Sequence, residues 1–482
     1  MARKINESKY TLTASKKRAD ALDALRGFAI LAMVLSGVIP RNTLPAWMYH
    51  AQLPPPTHAF NPNLPGLTWV DVVFPLFLFS MGAAIPLALS RRLATGWDTR
   101  RIFLSILQRG FLLGSFAIFL QHIRPLVLNP NPTPQTWWIA LFGFFVLFFM
   151  FLRWPGSWSP WMREITMLIV WSIGILFILQ LHYPDGSGFS LNRSDIILVV
   201  LANMVVFGSI IWLFTRSNLW LRIGLLGLLL ALRLSSTADG WIASVWASSP
   251  IPWIFRFDYL KYLFIVIPGT IVGDLISSWL QLSSPEATSK NNWEIFHFFS
   301  IVVLMLMLNL ILLIGLQARW IWQTTLLIVV LGLFGLLLFN KPNNITEKLL
   351  NCLYHWGFYW LVLGLLLEPY ENGIKKDLST LSYYFVTTGM AILLLIALTI
   401  IIDIFSQKVW LQLLIDNGLN PMIAYMGFAN LLWPVLDLTG CEPLVLEMTS
   451  TPGKGLLRGL VYTLTLGCIV SLFSRFKLFL RT

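Results

Sequence analysis

The chain has 482 residues, of which 57% are apolar and 12% are charged. Soluble domains carry about 25% charged residues, so this composition excludes a soluble enzyme, a disordered protein and a disulfide scaffold. Because a bilayer span needs about 20 apolar residues, we expect an all-α, polytopic integral membrane bundle of about 12 transmembrane helices, within a range of roughly 10 to 14. In chain order, the apolar runs predicted to be helical lie at about 22–39, 70–89, 102–121, 136–152, 164–182, 195–214, 219–234, 259–281, 296–316, 320–339, 347–368, 381–404, 421–437 and 456–474.

The net charge of +12 predicts a membrane orientation and no nucleic-acid partner, because Lys and Arg lie in short segments between apolar runs. Residues 1–20 are predicted to form a basic cytoplasmic tail, and residues 21–482 a single transmembrane domain in contact with the lipid bilayer. With the N-terminal tail in the cytoplasm and all 14 apolar runs counted as spans, the C-terminus also lies in the cytoplasm. The basic residues then favour the cytoplasmic side by roughly two to one, as the positive-inside rule requires.

The 40–69 loop is predicted to be external and stiff. Consecutive prolines at 54–56 and further prolines at 62 and 65 fix backbone angles and remove backbone donors. The loop also holds His50 and His58, and histidine is the usual general base near neutral pH. A solvated loop histidine is the simpler interpretation of each.

Ionisable residues at bilayer depth are functional candidates, because an unpaired charge there is costly. Asp23 and Arg26 share a helix face at i and i+3, so they form either an ion pair near the interface or part of a ligand site. Asp71 ends a Thr68-Trp69-Val70-Asp71 capping box. It caps a helix, holds a neighbouring histidine, or does both.

Two further motifs have both a structural and a functional interpretation. Lys376 lies on the predicted external side, either in a solvated loop or as a clamp for an anionic group. Asn420-Pro421 suits the N-cap and first turn of a helix. The same helix start is able to bind phosphate.

Four blocks of sequence resemble the heparan-α-glucosaminide N-acetyltransferase family and its bacterial relatives, within a transmembrane acyltransferase superfamily. The second block is the specific one, and all four follow the family's order. They comprise Leu22–Phe28; His58-Ala59 with Gly66–Pro75 and Phe77–Gly82; Ile374–Asp377 with Thr380, Ser382-Tyr383 and Thr387–Gly389; and Gly418–Pro421 with Tyr425.

Two departures from the family pattern bear on the site. Gly37 stands where the family usually has an Asn, and Asn61–Asn63 lengthen the spacing between His58 and Asp71. His50 is therefore a rival to His58 as the base. Because of the same departures, the sequence leaves open whether the acetyl acceptor is the family's heparan sugar amine or another group.

The resemblance implies acetyl transfer across the bilayer, from cytoplasmic acetyl-CoA as co-substrate to an amino sugar or a glycan amine or hydroxyl outside, in a bacterial inner membrane. His58 would be the base or transient acetyl carrier, and Asp71 would fix its tautomer. The phosphates of CoA would meet a rim of arginines. From the residue chemistry we expect this rim to comprise Arg91, Arg92, Arg101 and Arg109, and substrate contacts to come from Asp23, Arg26, Lys376, Asn420 and Tyr425.

The alternative function is a secondary transporter for a sugar or another small solute, which the buried charges and span number also suit. A structural envelope protein is the third alternative. No metal pattern occurs in the sequence, so we expect no metal site. The sequence leaves a monomer and a homodimer equally open.

Overall fold

The computed structural model describes residues 18–41, 44–154, 156–282 and 293–481, and these residues form a helical bundle without β-strands. Most of the predicted basic tail lies outside the described residues. The first half contains α1 (Asp20–Val38), α2 (Trp69–Ala94), α3 (Thr99–His122), α4 (Pro125–Leu128), α5 (Pro134–Phe151), α6 (Pro160–Leu179), α7 (Ile196–Thr215), α8 (Leu219–Ser235), α9 (Trp241–Ala247) and α10 (Leu263–Leu282).

The second half contains α11 (Ile295–Gln317), α12 (Ile321–Leu338), α13 (Ile345–Leu367), α14 (Leu381–Thr399), α15 (Gln412–Leu419), α16 (Pro421–Gly427), α17 (Trp433–Leu438), α18 (Cys441–Met448) and α19 (Pro452–Arg475). A π-helical stretch, Phe428–Leu432, joins α16 to α17, and another, Ile400–Ile404, extends α14.

Among the described residues, 12 helices are long and apolar enough to cross a membrane, or 13 if the bent pair Pro421–Leu438 and Cys441–Met448 is one span. This confirms the predicted class and number, and the chain is an integral membrane protein. The run at 219–234 also forms a helix, α8, but with 17 residues it is shorter than each of these 12 spans.

The centre of the bundle consists of α2, α10 and α14, which are the most deeply buried spans, whereas α6 and α12 lie at the periphery. Two opposite ends position the functional residues. We call the end that holds the 39–68 and 368–380 segments the loop face. The end of α2 and the start of α3, with the arginines at 91, 92, 100 and 101, form the arginine face.

Candidate functional site

A buried carboxylate at the start of α2 contacts a histidine of the 39–68 segment. Asp71 Oδ1 lies 2.8 Å from His50 Nδ1. The Asp71 side chain is 2% exposed, whereas that of His50 is 33% exposed. The imidazole therefore joins a buried anion to the loop face, where it is accessible from outside the bundle.

The other carboxylate oxygen of Asp71 accepts three hydrogen bonds. The Thr68 backbone N–H (3.1 Å), the Thr68 hydroxyl (2.9 Å) and the Ala51 backbone N–H (3.1 Å) all donate to Oδ2. The predicted capping box is thus confirmed, and the same residue also orients a histidine. With donors on both oxygens, Asp71 acts as an acceptor, so His50 Nδ1 donates to it and Nε2 is the ring nitrogen left to act on a substrate.

Pro75 provides a further fixed contact for Asp71. A proline has no N–H, so the carbonyl oxygen four residues earlier, that of Asp71, lacks its helical donor. The buried Tyr383 hydroxyl of α14 donates to this oxygen at 2.8 Å. Pro75 thus frees the Asp71 carbonyl, and the bond from Tyr383 to this carbonyl joins the first turn of α2 to α14 at the centre of the bundle.

Lys376 approaches the same imidazole from the 368–380 segment. Its Nζ lies 3.2 Å from His50 Nδ1 and 3.5 Å from Nε2. Gln52 holds the two segments together, because its side chain exchanges hydrogen bonds with the backbone N–H and C=O of Asp377. Burial lowers the pKa of Lys376 below the ordinary lysine value, and the nearby Asp71 carboxylate opposes that shift.

His58 has its own contacts within the 39–68 segment. It lies in a turn closed by the bond from its own N–H to the Pro54 carbonyl (3.0 Å), with a positive φ of 49°. Its ring contacts Tyr49 edge-on at 4.6 Å between centroids. The structure therefore brings Asp71 together with His50, while the role predicted for His58 stays a prediction.

On the other side of the bundle, Arg26 and Arg109 line a cavity of about 240 Å³ with Asn420 and apolar side chains of α2, α3 and α7. Arg26 is well partnered. It pairs with Asp23 (3.3 Å) and also donates to the carbonyls of Gly418 (3.2 Å) and Ser80 (3.3 Å). The predicted Asp23–Arg26 pair thus forms, and its arginine links α1 to α2 and to the end of α15.

The contact between α1 and α15 depends on two glycines. A Cβ atom on Gly27 would lie 1.7 Å from the Leu414 carbonyl oxygen, and one on Gly418 would lie 1.8 Å from the Asp23 carbonyl oxygen. Both distances exclude any side chain. This close approach brings the Gly418–Pro421 turn to the guanidinium of Arg26.

Arg109 has no hydrogen-bond or ion-pair partner among the described residues, and its Nε is buried. The charged groups that act on it are Arg26 and Arg92, both positive. A buried, unpaired cation is costly, so this part of the cavity favours an anionic ligand.

The other predicted rim arginines are placed less centrally. Arg92 donates to the Ser105 hydroxyl at 2.6 Å, and it shares a small pocket with Arg109. Arg92 and Arg101 each stack on the Trp97 ring, 5.2 Å from its centroid. Arg91 is exposed, and neither Arg91 nor Arg101 lines the cavity.

Asn420 takes the N-cap position before Pro421, as predicted, but its side chain does not cap the helix. Instead its amide donates to the Ser474 hydroxyl and to the Leu478 carbonyl, each at 3.0 Å. The expected capping bond is therefore replaced by a link to the C-terminal segment. Asn420 still lines the cavity.

Tyr425 belongs to a separate polar cluster that the sequence did not reveal. Its hydroxyl donates to the Asp195 carboxylate at 2.9–3.0 Å, and Arg124 contacts both residues. Asp195 also caps α7 through the Leu198 N–H, so its position before an apolar run was the one available signal. A narrow pocket beside Tyr425 shares Phe77 and Met422 with the arginine-lined cavity.

Comparison with known proteins places the chain in one family. A profile described as "Domain of unknown function (DUF5009)" matches residues 18–276, which is more than half of the 482 residues. The chain therefore belongs to this family. The matched region includes His50, Asp71 and Arg109 and ends before Lys376 and Asn420. No curated protein matches the chain.

Proposed function

We propose that the protein is an integral membrane acetyltransferase that moves an acetyl group from acetyl-CoA, bound at the arginine face, to an amine or hydroxyl of a sugar or glycan at the loop face. The observation that carries the proposal is the His50–Asp71–Lys376 arrangement, with Nδ1 held by a buried carboxylate at 2.8 Å and a lysine 3.2 Å away. The chemistry resembles that of a catalytic triad.

In the proposed transfer, Asp71 holds the imidazole in place while His50 and Lys376 act on the reacting groups. His50 Nε2 removes the proton from the acceptor amine or hydroxyl as that group attacks the thioester carbonyl carbon. The Lys376 ammonium stabilises the oxyanion that forms. The C–S bond then breaks, the thiolate of CoA leaves, and the proton on Nε2 passes to it. In a two-step route, the same Nε2 would carry the acetyl group before the acceptor does.

The donor would bind where positive charge lacks a partner. Arg109 and Arg92 offer guanidinium groups to phosphates, and the adjoining cavity has the apolar lining that suits a pantetheine arm. The small pocket beside Tyr425 shares Phe77, Leu201 and Met422 with this cavity. The positive-inside rule would make the arginine face cytoplasmic, in a bacterial inner membrane.

The resemblance to the heparan-α-glucosaminide N-acetyltransferase family gains support from how its blocks pair. The first and fourth blocks meet where Arg26 donates to the Gly418 carbonyl. The second and third meet where Tyr383 donates to the Asp71 carbonyl. Blocks that are far apart in the chain thus meet in pairs at the two candidate sites.

Calorimetry of the purified protein in detergent, with acetyl-CoA and CoA as ligands, tests the proposal. We expect binding in the micromolar range. Acetyl exchange between the bound donor and labelled CoA in the absence of acceptor would identify the two-step route, and its absence the direct one. A folded sample that binds neither ligand would contradict the proposal and favour a transporter.

Substitution of Arg109 tests the donor site. Arg109→Met removes a buried, unpaired charge, so the ligand-free protein should unfold at the same or a higher temperature than the wild type. Loss of a charge-assisted hydrogen bond should weaken acetyl-CoA binding by roughly 10- to 100-fold. Arg216→Met, at an exposed arginine after α7, is the matched control and should change neither. Equal weakening by both variants would contradict the assignment.

The pH profile tests Lys376. Burial lowers its pKa below the usual 10.5, so Lys376 should lose its proton, and the transfer rate should fall, at a pH below that value. Because the unfolded chain still binds this proton, the free energy of unfolding should rise with pH across the same window. Lys376→Arg keeps the charge at high pH, so its pH–rate profile should lack the alkaline decline. An unchanged decline in this variant would exclude the role.

A further inference from the structure

A second cavity at the arginine face, of about 660 Å³, lies between α3, α5, α6 and the C-terminal segment. Four arginines line it. The C-terminal segment is fixed there by backbone hydrogen bonds, from the Arg153 N–H to the Phe479 carbonyl and from the Arg481 N–H to the Phe151 carbonyl. The four arginines are Arg92, Arg153, Arg163 and Arg481.

The positive charge of this cavity has no counterpart in its walls. None of the four arginines forms an ion pair with a described residue, and no described carboxylate lines the cavity. Arg163 Nε and Trp154 Nε1 are buried donors without a hydrogen-bond partner in the described part of the chain. These two unsatisfied donors, together with the unpaired arginines, favour a ligand with several anionic oxygens.

Apart from the arginines, Gln108 and Trp154, the other side chains that line the cavity are apolar. Arg163, Met167 and Trp171 follow one another at four-residue intervals on one side of α6, which spans about 12 Å along the helix axis. Trp171 stacks on Phe111, whose side chain is 65% exposed. Because α6 is the least buried span, the cavity adjoins the lipid-facing surface of the bundle.

We propose that this cavity binds an anionic phospholipid, with its phosphates at Arg153, Arg163 and Arg481 and part of an acyl chain beside Trp171. A basic pocket between transmembrane helices at the cytoplasmic level is the arrangement that recognises such headgroups. The lateral position at an outer helix favours a ligand that arrives from the bilayer over one from water. This binding does not depend on acetyl transfer.

Native mass spectrometry of the full chain, titrated with cardiolipin and with phosphatidylcholine, tests the proposal. Cardiolipin carries two phosphates, so it should bind at least about tenfold more tightly than phosphatidylcholine. Each basic residue near a headgroup strengthens binding about fivefold, so Arg153→Ala with Arg163→Ala should weaken cardiolipin binding by roughly 25-fold. Arg153→Gln with Arg163→Gln replaces this pair if the alanine variant does not fold.

The matched control is Arg100→Ala with Arg216→Ala, which removes the same charge from exposed arginines outside the cavity. It should retain cardiolipin binding within about twofold, because these residues contribute only long-range charge. Equal weakening in both variants would overturn the proposal. So would one-for-one displacement of bound cardiolipin by acetyl-CoA, because the cavity would then belong to the donor.

Discussion

Replacement of His50 by Ala is expected to lower the rate of acetyl transfer about 1000-fold, whereas replacement of His58 by Ala should change it less than about threefold. General base catalysis contributes about 10²- to 10⁴-fold, and His50 Nδ1 lies 2.8 Å from the buried Asp71 carboxylate. The measurement is release of the CoA thiol in the presence of an amino sugar, with both variants at equal protein concentration.

The two histidines are matched for this comparison because both lie in the same proline-rich segment and are partly exposed. Acetyl-CoA binding should be unchanged in both variants, since the donor cavity is on the opposite side of the bundle. If His58→Ala abolishes transfer and His50→Ala does not, His50 is not the base and the family position is the correct one.

Replacement of Asp71 by Asn should lower the transfer rate by roughly 10³- to 10⁴-fold, with little loss of the fold. An Asn oxygen is still able to accept the bonds that Thr68 and Ala51 donate to Oδ2. Its amide then faces His50 Nδ1 as a donor. The imidazole would place its proton on Nε2, so the lone pair needed for proton removal would be lost.

Glu347 provides the matched control for Asp71. It is a fully buried residue at the same position of a capping box, at the start of α13. Glu347→Gln should affect the unfolding temperature about as much as Asp71→Asn while leaving the transfer rate within a few-fold. An equal loss of transfer in both variants would show that Asp71 acts only by capping its helix.

The architecture of the bundle follows closely from the sequence because its cause is local. A run of about 20 apolar residues specifies a helix wherever it lies in the chain, and 12 such helices form in the described part of the chain. The Thr68–Asp71 capping box was equally predictable, since it joins residues only three positions apart. Such features need no knowledge of tertiary contacts.

The choice between the two histidines could not be made in this way. His50 lies 21 residues from Asp71, and its position depends on how the 39–68 segment folds back over α2. The Tyr49 hydroxyl donates to the Pro40 carbonyl at 2.6 Å. This bond holds Tyr49, the residue before His50, beside the end of α1. The match of His58-Ala59 to the family pattern favoured His58, but tertiary contacts of this kind decide the geometry.

The arginines show an intermediate case. Arg109 directly precedes Gly110 in a stripe of buried residues on α3, at 102, 106, 110 and 113. Arg101 stands in the same relation to Ile102, so helical periodicity places both arginines beside this stripe and does not separate them. The contacts of Asn420 with Ser474 and Leu478 join segments more than 50 residues apart. No local pattern encodes them.

Transfer across a sealed bilayer tests the central claim most directly. The protein is reconstituted in liposomes that contain an amino sugar such as glucosamine, and acetyl-CoA is supplied only outside. The account predicts that N-acetylated sugar accumulates inside with the wild-type protein and not with His50→Ala. Export of unmodified sugar, with no acetylation by a folded protein, would contradict the account and identify a transporter instead.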